Sequence, residues 1–132
     1  MSFSITQWVS DQFSDLPLIN ENLEGRIVVV TGANTGVGFE CAKHFLRMNP
    51  AKLILAVRSI EKGQAAALRM IDETRETRSD IVEVWQLDMA SFASVQSFAQ
   101  RVETLPRLDL AVLNSGVSTN AWEITGDGYE VT

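Results

Sequence analysis

Ile27-Val28-Val29-Val30-Thr31-Gly32-Ala33-Asn34-Thr35-Gly36-Val37-Gly38 is the stretch whose reading decides the fold. Residues 27–30 are a continuous β-branched run, too short for a helix and apolar on both faces. A glycine-rich turn runs from Gly32 to Gly38. Behind it, residues 39–48 read as a helix stopped by Asn49-Pro50.

The alternation continues outward. Residues 53–57 predict a second buried strand, and Ser59 is placed to cap a long helix over 60–77. Residues 81–87 predict a third strand, with Val82 and Val84 on one face and Trp85 and Leu87 on the other. A helix is expected over 91–104, its buried face carrying Val95, Phe98, Ala99 and Val102. Residues 108–113 predict a fourth strand, and 115–132 read as a loop rich in Gly, Ser, Thr and Asn. Strands apolar on both faces, alternating with helices, imply a parallel sheet covered on both sides. The expected class is α/β: a Rossmann-like doubly wound parallel sheet, incomplete at four strands.

The position of the glycines gives them a physical task. Gly32 lets the chain turn sharply. Gly36 and Gly38 remove side chains where a pyrophosphate and the helix must approach closely. The first N–H groups of the helix then face phosphate oxygens, aided by the helix dipole. A structural tight turn is the competing reading, but the strand before and helix behind favour dinucleotide binding. The spacing is G-x-x-x-G-x-G. It differs from G-x-G-x-x-G, because Cys41 stands where a third glycine would fall. No Lys-Ser or Lys-Thr follows, so it is not a P-loop.

Thr-Gly-x-x-x-Gly-x-Gly after a valine-rich strand resembles the short-chain dehydrogenase/reductase family. Three further positions fit that resemblance. Arg58 ends the second strand, 20 residues after Gly38. A carboxylate there would bind the 2′-hydroxyl of NAD, whereas an arginine suits the 2′-phosphate of NADP and disfavours S-adenosylmethionine. Ser59 and Lys62 add a hydroxyl and a second cation. The resemblance makes Asp88 an acceptor for the adenine amino group, with the Met89 backbone beside it; helix entry is the competing role of Asp88. Leu113-Asn114-Ser115-Gly116 is similar to the family's Asn-Asn-Ala-Gly, departing from it at Leu113 and Ser115. Asn114 would bridge the strands around the cofactor, and Gly116 would leave room for adenosine. With Gly32, Asn34, Thr35, Gly36, Val37 and Gly38, these residues form the expected NADP-binding set. Residues 25–132 are then the N-terminal half of an NADP-binding domain. Thr125-Gly126-Asp127-Gly128-Tyr129-Glu130 resembles the T-x-D-G-Y-E of the retinol-dehydrogenase-like branch. Together with the N-terminal helix and Arg58-Ser59, it suggests a fungal-type reductase of secondary metabolism.

Composition narrows the remaining choices. The chain has 132 residues, 45% hydrophobic and 21% charged, which suits one small domain or a piece of a larger one rather than a disordered chain. Its 17 acids against 11 bases give a net charge of −6 and argue against nucleic acid and anionic lipid as partners. Arg69, Arg75 and Arg78 are interleaved with Asp72, Glu73 and Glu76 and read as a solvated helix face. A single cysteine excludes an intrachain disulfide and, with one histidine, makes no metal site. No secretory signal and no membrane-spanning run is read, so a cytoplasmic protein is expected. Residues 1–24 form a separate arm. Ser4 would cap a helix with Ile5, Trp8, Val9 and Phe13 on one face, ended by Leu16-Pro17. That face is expected to pack on the domain; a membrane or partner contact through residues 1–15 is the sharper alternative.

The resemblance also says what is missing. The family's catalytic Ser lies on a fifth strand and its Tyr-x-x-x-Lys pair on the next helix, and neither falls within residues 1–132. The Tyr would serve as general acid/base, with the Lys lowering its pKa and the Ser polarising the carbonyl. Tyr129 is the only tyrosine, with no Lys four residues on, so it is assigned to packing. His44 and Cys41 are assigned to helix surface and helix packing. The expected function is hydride transfer between NADPH and a small carbonyl or alcohol, with NAD the weaker cofactor candidate. This chain would be a portion cut off before the catalytic residues, and homo-oligomeric if longer. The alternative is a non-catalytic nucleotide-binding half-domain that pairs with another chain. On either reading the fourth strand is an exposed edge, and low stability of the isolated chain is expected.

Overall fold

The computed structural model describes residues 4–13 and 21–131. Strands β1 (Ile27–Thr31), β2 (Lys52–Val57), β3 (Val82–Gln86) and β4 (Leu110–Val112) form one parallel sheet in the order β3-β2-β1-β4. Helices α1 (Ile5–Gln12), α2 (Gly36–Arg47), α3 (Ile60–Thr74) and α4 (Phe92–Glu103) alternate with them. The α/β Rossmann-like architecture predicted from the hydrophobic runs is the one observed.

The register explains why β1 and β2 are apolar throughout. Val28 pairs with Leu53 and Leu110, and Val30 with Leu55 and Val112. On one face Val28, Val30, Leu53 and Leu55 pack with Phe39, Ala42 and Leu46 of α2 and Ala66 and Met70 of α3. On the other, Ile27, Val29, Ile54, Ala56, Trp85 and Leu87 pack with Val95, Phe98 and Val102 of α4. Each such fully buried aliphatic side chain contributes about 1.5–3 kcal/mol. The two faces hold two separate cores, which is why a polar residue is rare along the central strands.

Several boundaries differ from expectation. α2 begins at Gly36 rather than 39, since glycines cost least in a first turn whose N–H groups lack intrahelical partners. α3 ends at Thr74, where Arg75 adopts a left-handed conformation (φ 57°). The Glu76 carboxylate then accepts from the Thr77 and Arg78 amides and pairs with the Arg78 guanidinium, a local turn that competes with helix. A short 3₁₀ turn, Ser79–Ile81, precedes β3. β4 is three residues long rather than six, and Leu108 and Leu113 on either side of it are exposed. Ala99 is exposed too. α4 meets the sheet through a narrow stripe centred on Phe98, whose ring stands edge-on to Trp85 at 5.9 Å, and Ala99 falls off it. The basic cluster Arg69, Arg75 and Arg78 is exposed as expected, and Arg69 also covers the Phe39 ring at 3.9 Å.

The arm also departs from expectation. Ile5, Trp8, Val9 and Phe13 of the α1 segment are all exposed, so this apolar face does not bury against the described domain. The expected stop at Leu16-Pro17 lies outside the described residues. Leu23 is buried in the core, and its N–H donates to the Met48 carbonyl at 2.7 Å. The packed domain therefore starts before residue 25. No helix among the described residues is long and apolar enough to cross a membrane.

Asp109 ties the start of β4 to the start of β1. Its carboxylate accepts the Ile27 N–H at 2.8 Å and pairs with the Arg107 guanidinium, and its own N–H donates to the Ile27 carbonyl at 3.1 Å. Arg107 and the Ile27 amide hold the Asp109 carboxyl below the usual carboxylate range. Burial pushes Glu83 the other way, yet Lys52 and the Trp85 indole hold it low as well. A carboxyl lowered by folding stabilises the protein above its unfolded pKa, and that contribution is lost as pH falls toward the folded value. The urea midpoint, followed by circular dichroism, should stay level down to the usual carboxylate range and fall below it. Asp109→Asn should flatten that acid-side fall; an unchanged slope would show that Asp109 contributes nothing there.

Candidate nucleotide-binding site

The site is built around one close approach of backbone to backbone. Gly32 leaves β1 with φ +66°, a left-handed value that favours glycine. A Cβ on Gly38 would lie 2.4 Å from the Asn114 Nδ2 and 2.4 Å from the Gly32 carbonyl oxygen. These glycines let the end of β4 lie against the turn. There the Thr31 hydroxyl oxygen accepts the Asn114 and Ser115 amides, each at 2.9 Å. The Asn114 Nδ2 donates back to the Thr31 carbonyl at 3.1 Å.

The turn delivers the N-terminus of α2 to a cleft. No side chain caps α2, although Thr35 occupies the N-cap, and no acidic residue stands in its first turn. α3 and α4 differ: Ser59 accepts from the Lys62 amide and Ser91 from the Ser94 amide. Of the helix starts that reach the cleft, that of α2 is the one without a side-chain cap, and its free N–H groups and positive dipole end suit a phosphate.

The cleft has a volume of about 830 Å³. Gly32, Asn34, Thr35, Val37 and Gly38 line it from the turn, and Arg58, Ser59 and Lys62 from the end of β2 and the start of α3. Asp88 and Met89 line it after β3, and Asn114 and Gly116 after β4. Every residue expected from the sequence is therefore present except Gly36. That residue is not among those lining the cleft and serves the turn by its positive φ of 59°. Asp88 combines both of its expected positions, since its Oδ1 accepts the Ala90 N–H at 3.0 Å at the helix entry.

The cleft has walls that the sequence did not assign to it. Ser115, Val117, Ala90 and Phe92 contribute, as do Thr125, Asp127, Tyr129, Glu130 and Val131 of the tail. The tail motif carried the signal for the last group, but not its location. The Tyr129 ring packs on that of Phe92, 5.1 Å between centroids, consistent with an anchoring role. Cys41 lies outside the cleft, and burial pushes its thiol up, away from the thiolate form. His44 lies outside it as well.

The tight packing at Gly38 is open to test. Gly38→Ala forces a Cβ onto a backbone oxygen and should cost about 1–3 kcal/mol in thermal or urea unfolding. A Cβ on Gly116 meets nothing within 4 Å, so Gly116→Ala should stay within about 0.5 kcal/mol. Equal stability of the two variants would contradict the packing argument.

Residues 26–128 match the family model for short chain dehydrogenase. The chain is 44% identical over 123 residues to short chain dehydrogenase atnD of Emericella nidulans, covering 93% of this chain and 38% of that protein. Among solved structures, menthone neomenthol reductase from Mentha piperita superposes with a TM-score of 0.64 at 37% identity, over 70% of this chain and 32% of that one. A short-chain dehydrogenase from Sphingobium yanoikuyae in complex with NADPH gives 0.63 at 27% identity, over 78% and 39%. The chain thus spans a little over a third of the length of such relatives, and the glycine turn, the sheet order and the family match agree. It belongs to the short chain dehydrogenase family.

Proposed function

We propose that this chain binds the adenosine and pyrophosphate portion of NADP and is the cofactor-holding part of an oxidoreductase. The observation that carries the choice of NADP is the pair Arg58 and Lys62. Both line the cleft, and neither makes an ion pair among the described residues, whereas Lys43, Lys52 and Arg107 each hold a carboxylate. Two unpaired cations beside a Ser59 hydroxyl suit the 2′-phosphate of NADP, a group NAD lacks. The NADPH complex of the Sphingobium relative supports the same reading.

The remaining residues fit the rest of the ligand. The bare first turn of α2 receives the pyrophosphate, with Gly38 letting the end of β4 pack against the turn. Asp88 spends one oxygen on the Ala90 amide and keeps the other for the adenine amino group. Gly116 leaves open space on the opposite wall. When bound, NADP supplies the carbon that accepts or donates hydride. This chain's own residues bind and orient it, and a small carbonyl or alcohol is the substrate class we assign. Tyr129, whose ring packs on Phe92, we assign to holding the tail rather than to proton transfer.

Calorimetric titration of the 132-residue chain with NADP and NAD tests this. NADP should bind more tightly. Arg58→Asp should weaken NADP by roughly tenfold or more, the worth of a charge-assisted contact, while sparing NAD. Equal loss for both cofactors would remove the 2′-phosphate assignment.

A further inference from the structure

The stretch 123–131 closes on itself before it reaches the cleft. Ile124 and Glu130 form an antiparallel bridge. The Thr125 N–H donates to the Tyr129 carbonyl at 2.7 Å, and the Val131 N–H donates to the Glu123 carbonyl at 3.1 Å. Gly128 makes the reversal with φ +84°. Two contacts of this closed turn with the rest of the molecule go to Phe92. Asp127 Oδ2 accepts the Phe92 backbone N–H at 2.7 Å, and the Tyr129 ring packs on the Phe92 ring.

Phe92 is the first residue of α4, directly behind the loop that carries Asp88 and Met89. That loop is held by a chain of short bonds. The Asp88 N–H donates to Ser94 Oγ at 2.9 Å, the Ala90 N–H to Asp88 Oδ1, and the Ser94 N–H to Ser91 Oγ at 3.3 Å. Ser91 caps the third position of the helix and leaves the Phe92 amide without a local acceptor. Asp127 supplies that acceptor from 35 residues away.

We infer that Asp127 is a positioning residue for the nucleotide, fixing the 88–92 loop and the tail to each other so that Asp88 and Met89 are presented in a preformed geometry. The inference rests on the nucleotide reading above. Its physical content is preorganisation. With Asp127 in place, the loop is ordered before ligand arrives; without it, ordering is charged against binding. Asp127 acts through Phe92, so its effect falls on the adenine end of the ligand and leaves the Arg58 and Lys62 end alone.

The probes are adenosine 2′,5′-bisphosphate and 5′-AMP, titrated calorimetrically into the 132-residue chain and its variants. Asp127→Ala should weaken both ligands by the same factor, roughly tenfold, because they share the adenine and differ only at the 2′-phosphate. Asp127→Asn keeps an oxygen that accepts from Phe92 and should recover most of the affinity. The Phe92 amide should exchange with deuterium faster in the alanine variant and near the wild-type rate in the asparagine variant. Unchanged affinity in Asp127→Ala would overturn the inference while leaving the nucleotide reading intact. So would a loss confined to the bisphosphate, or a loss that tracks a fallen melting temperature without rescue by Asn. Failure of the wild-type chain to bind either ligand would remove the nucleotide reading itself, and this inference with it.

Discussion

The cleft depends on the contact between the glycine turn and the end of β4. Thr31 is buried, and its one hydroxyl oxygen serves two backbone amides 83 and 84 residues away. Each such hydrogen bond contributes about 0.5–1.5 kcal/mol net, so this one oxygen helps tie the two segments to each other. The Asn114 side chain completes the seam by donating to the Thr31 carbonyl. None of these bonds forms unless Gly32 and Gly38 lack side chains, because a Cβ on either would press on Asn114 or Ser115. The same two glycines that close the seam expose the first N–H groups of α2. Structural and ligand-facing demands therefore fall on the same positions.

Parallel topology then gathers the other groups. Gly32 follows β1, Arg58 follows β2, Leu87 and Asp88 follow β3, and Asn114 follows β4 within two residues. Since all four strands run the same way, these ends share one edge of the sheet. The central strands supply the rigidity: β1 is buried at every position and β2 at all but its first. The outer elements are looser. β4 is short and half-buried, and α4 has no fully buried residue. Elements with few buried contacts open at low free energy, so the walls formed by β4, α4 and the tail need the long-range ties at Asp109, Thr31 and Asp127.

What the sequence revealed follows from the range of each interaction. The β-branched runs and the glycine spacing are local signals, and they located the strands and the turn; with the family resemblance they also named about half of the residues that line the cleft. The start of α2 was hidden because glycine's low helix propensity does not matter in a first turn. The end of α3 was hidden because Glu76 offers the backbone an alternative partner two residues away. The exposed face of α1 and the burial of Leu23 are tertiary outcomes; hydrophobic periodicity shows that a face is apolar, not what covers it. The tail motif was visible as letters, but its place in the cleft follows from the Asp127 bond to Phe92, which spans 35 residues and leaves no periodic trace.

Charge distribution bears on how an acidic protein could take the polyanionic ligand proposed above. A net charge of −6 repels phosphate at a distance, but at physiological salt that repulsion is screened beyond about 8 Å. Inside the cleft the local arrangement decides. Arg58, Lys62 and the uncapped α2 terminus bring positive charge to the ends of β1 and β2, whereas Asp88 after β3 and Asp127 and Glu130 of the tail bring acidic groups. A ligand with phosphates at one end and an amino-bearing base at the other has one favourable orientation in such a field. Reversing it would bring phosphates against carboxylates and leave two cations facing a neutral ring. For the nucleotide proposed above, that uneven distribution favours one direction of binding.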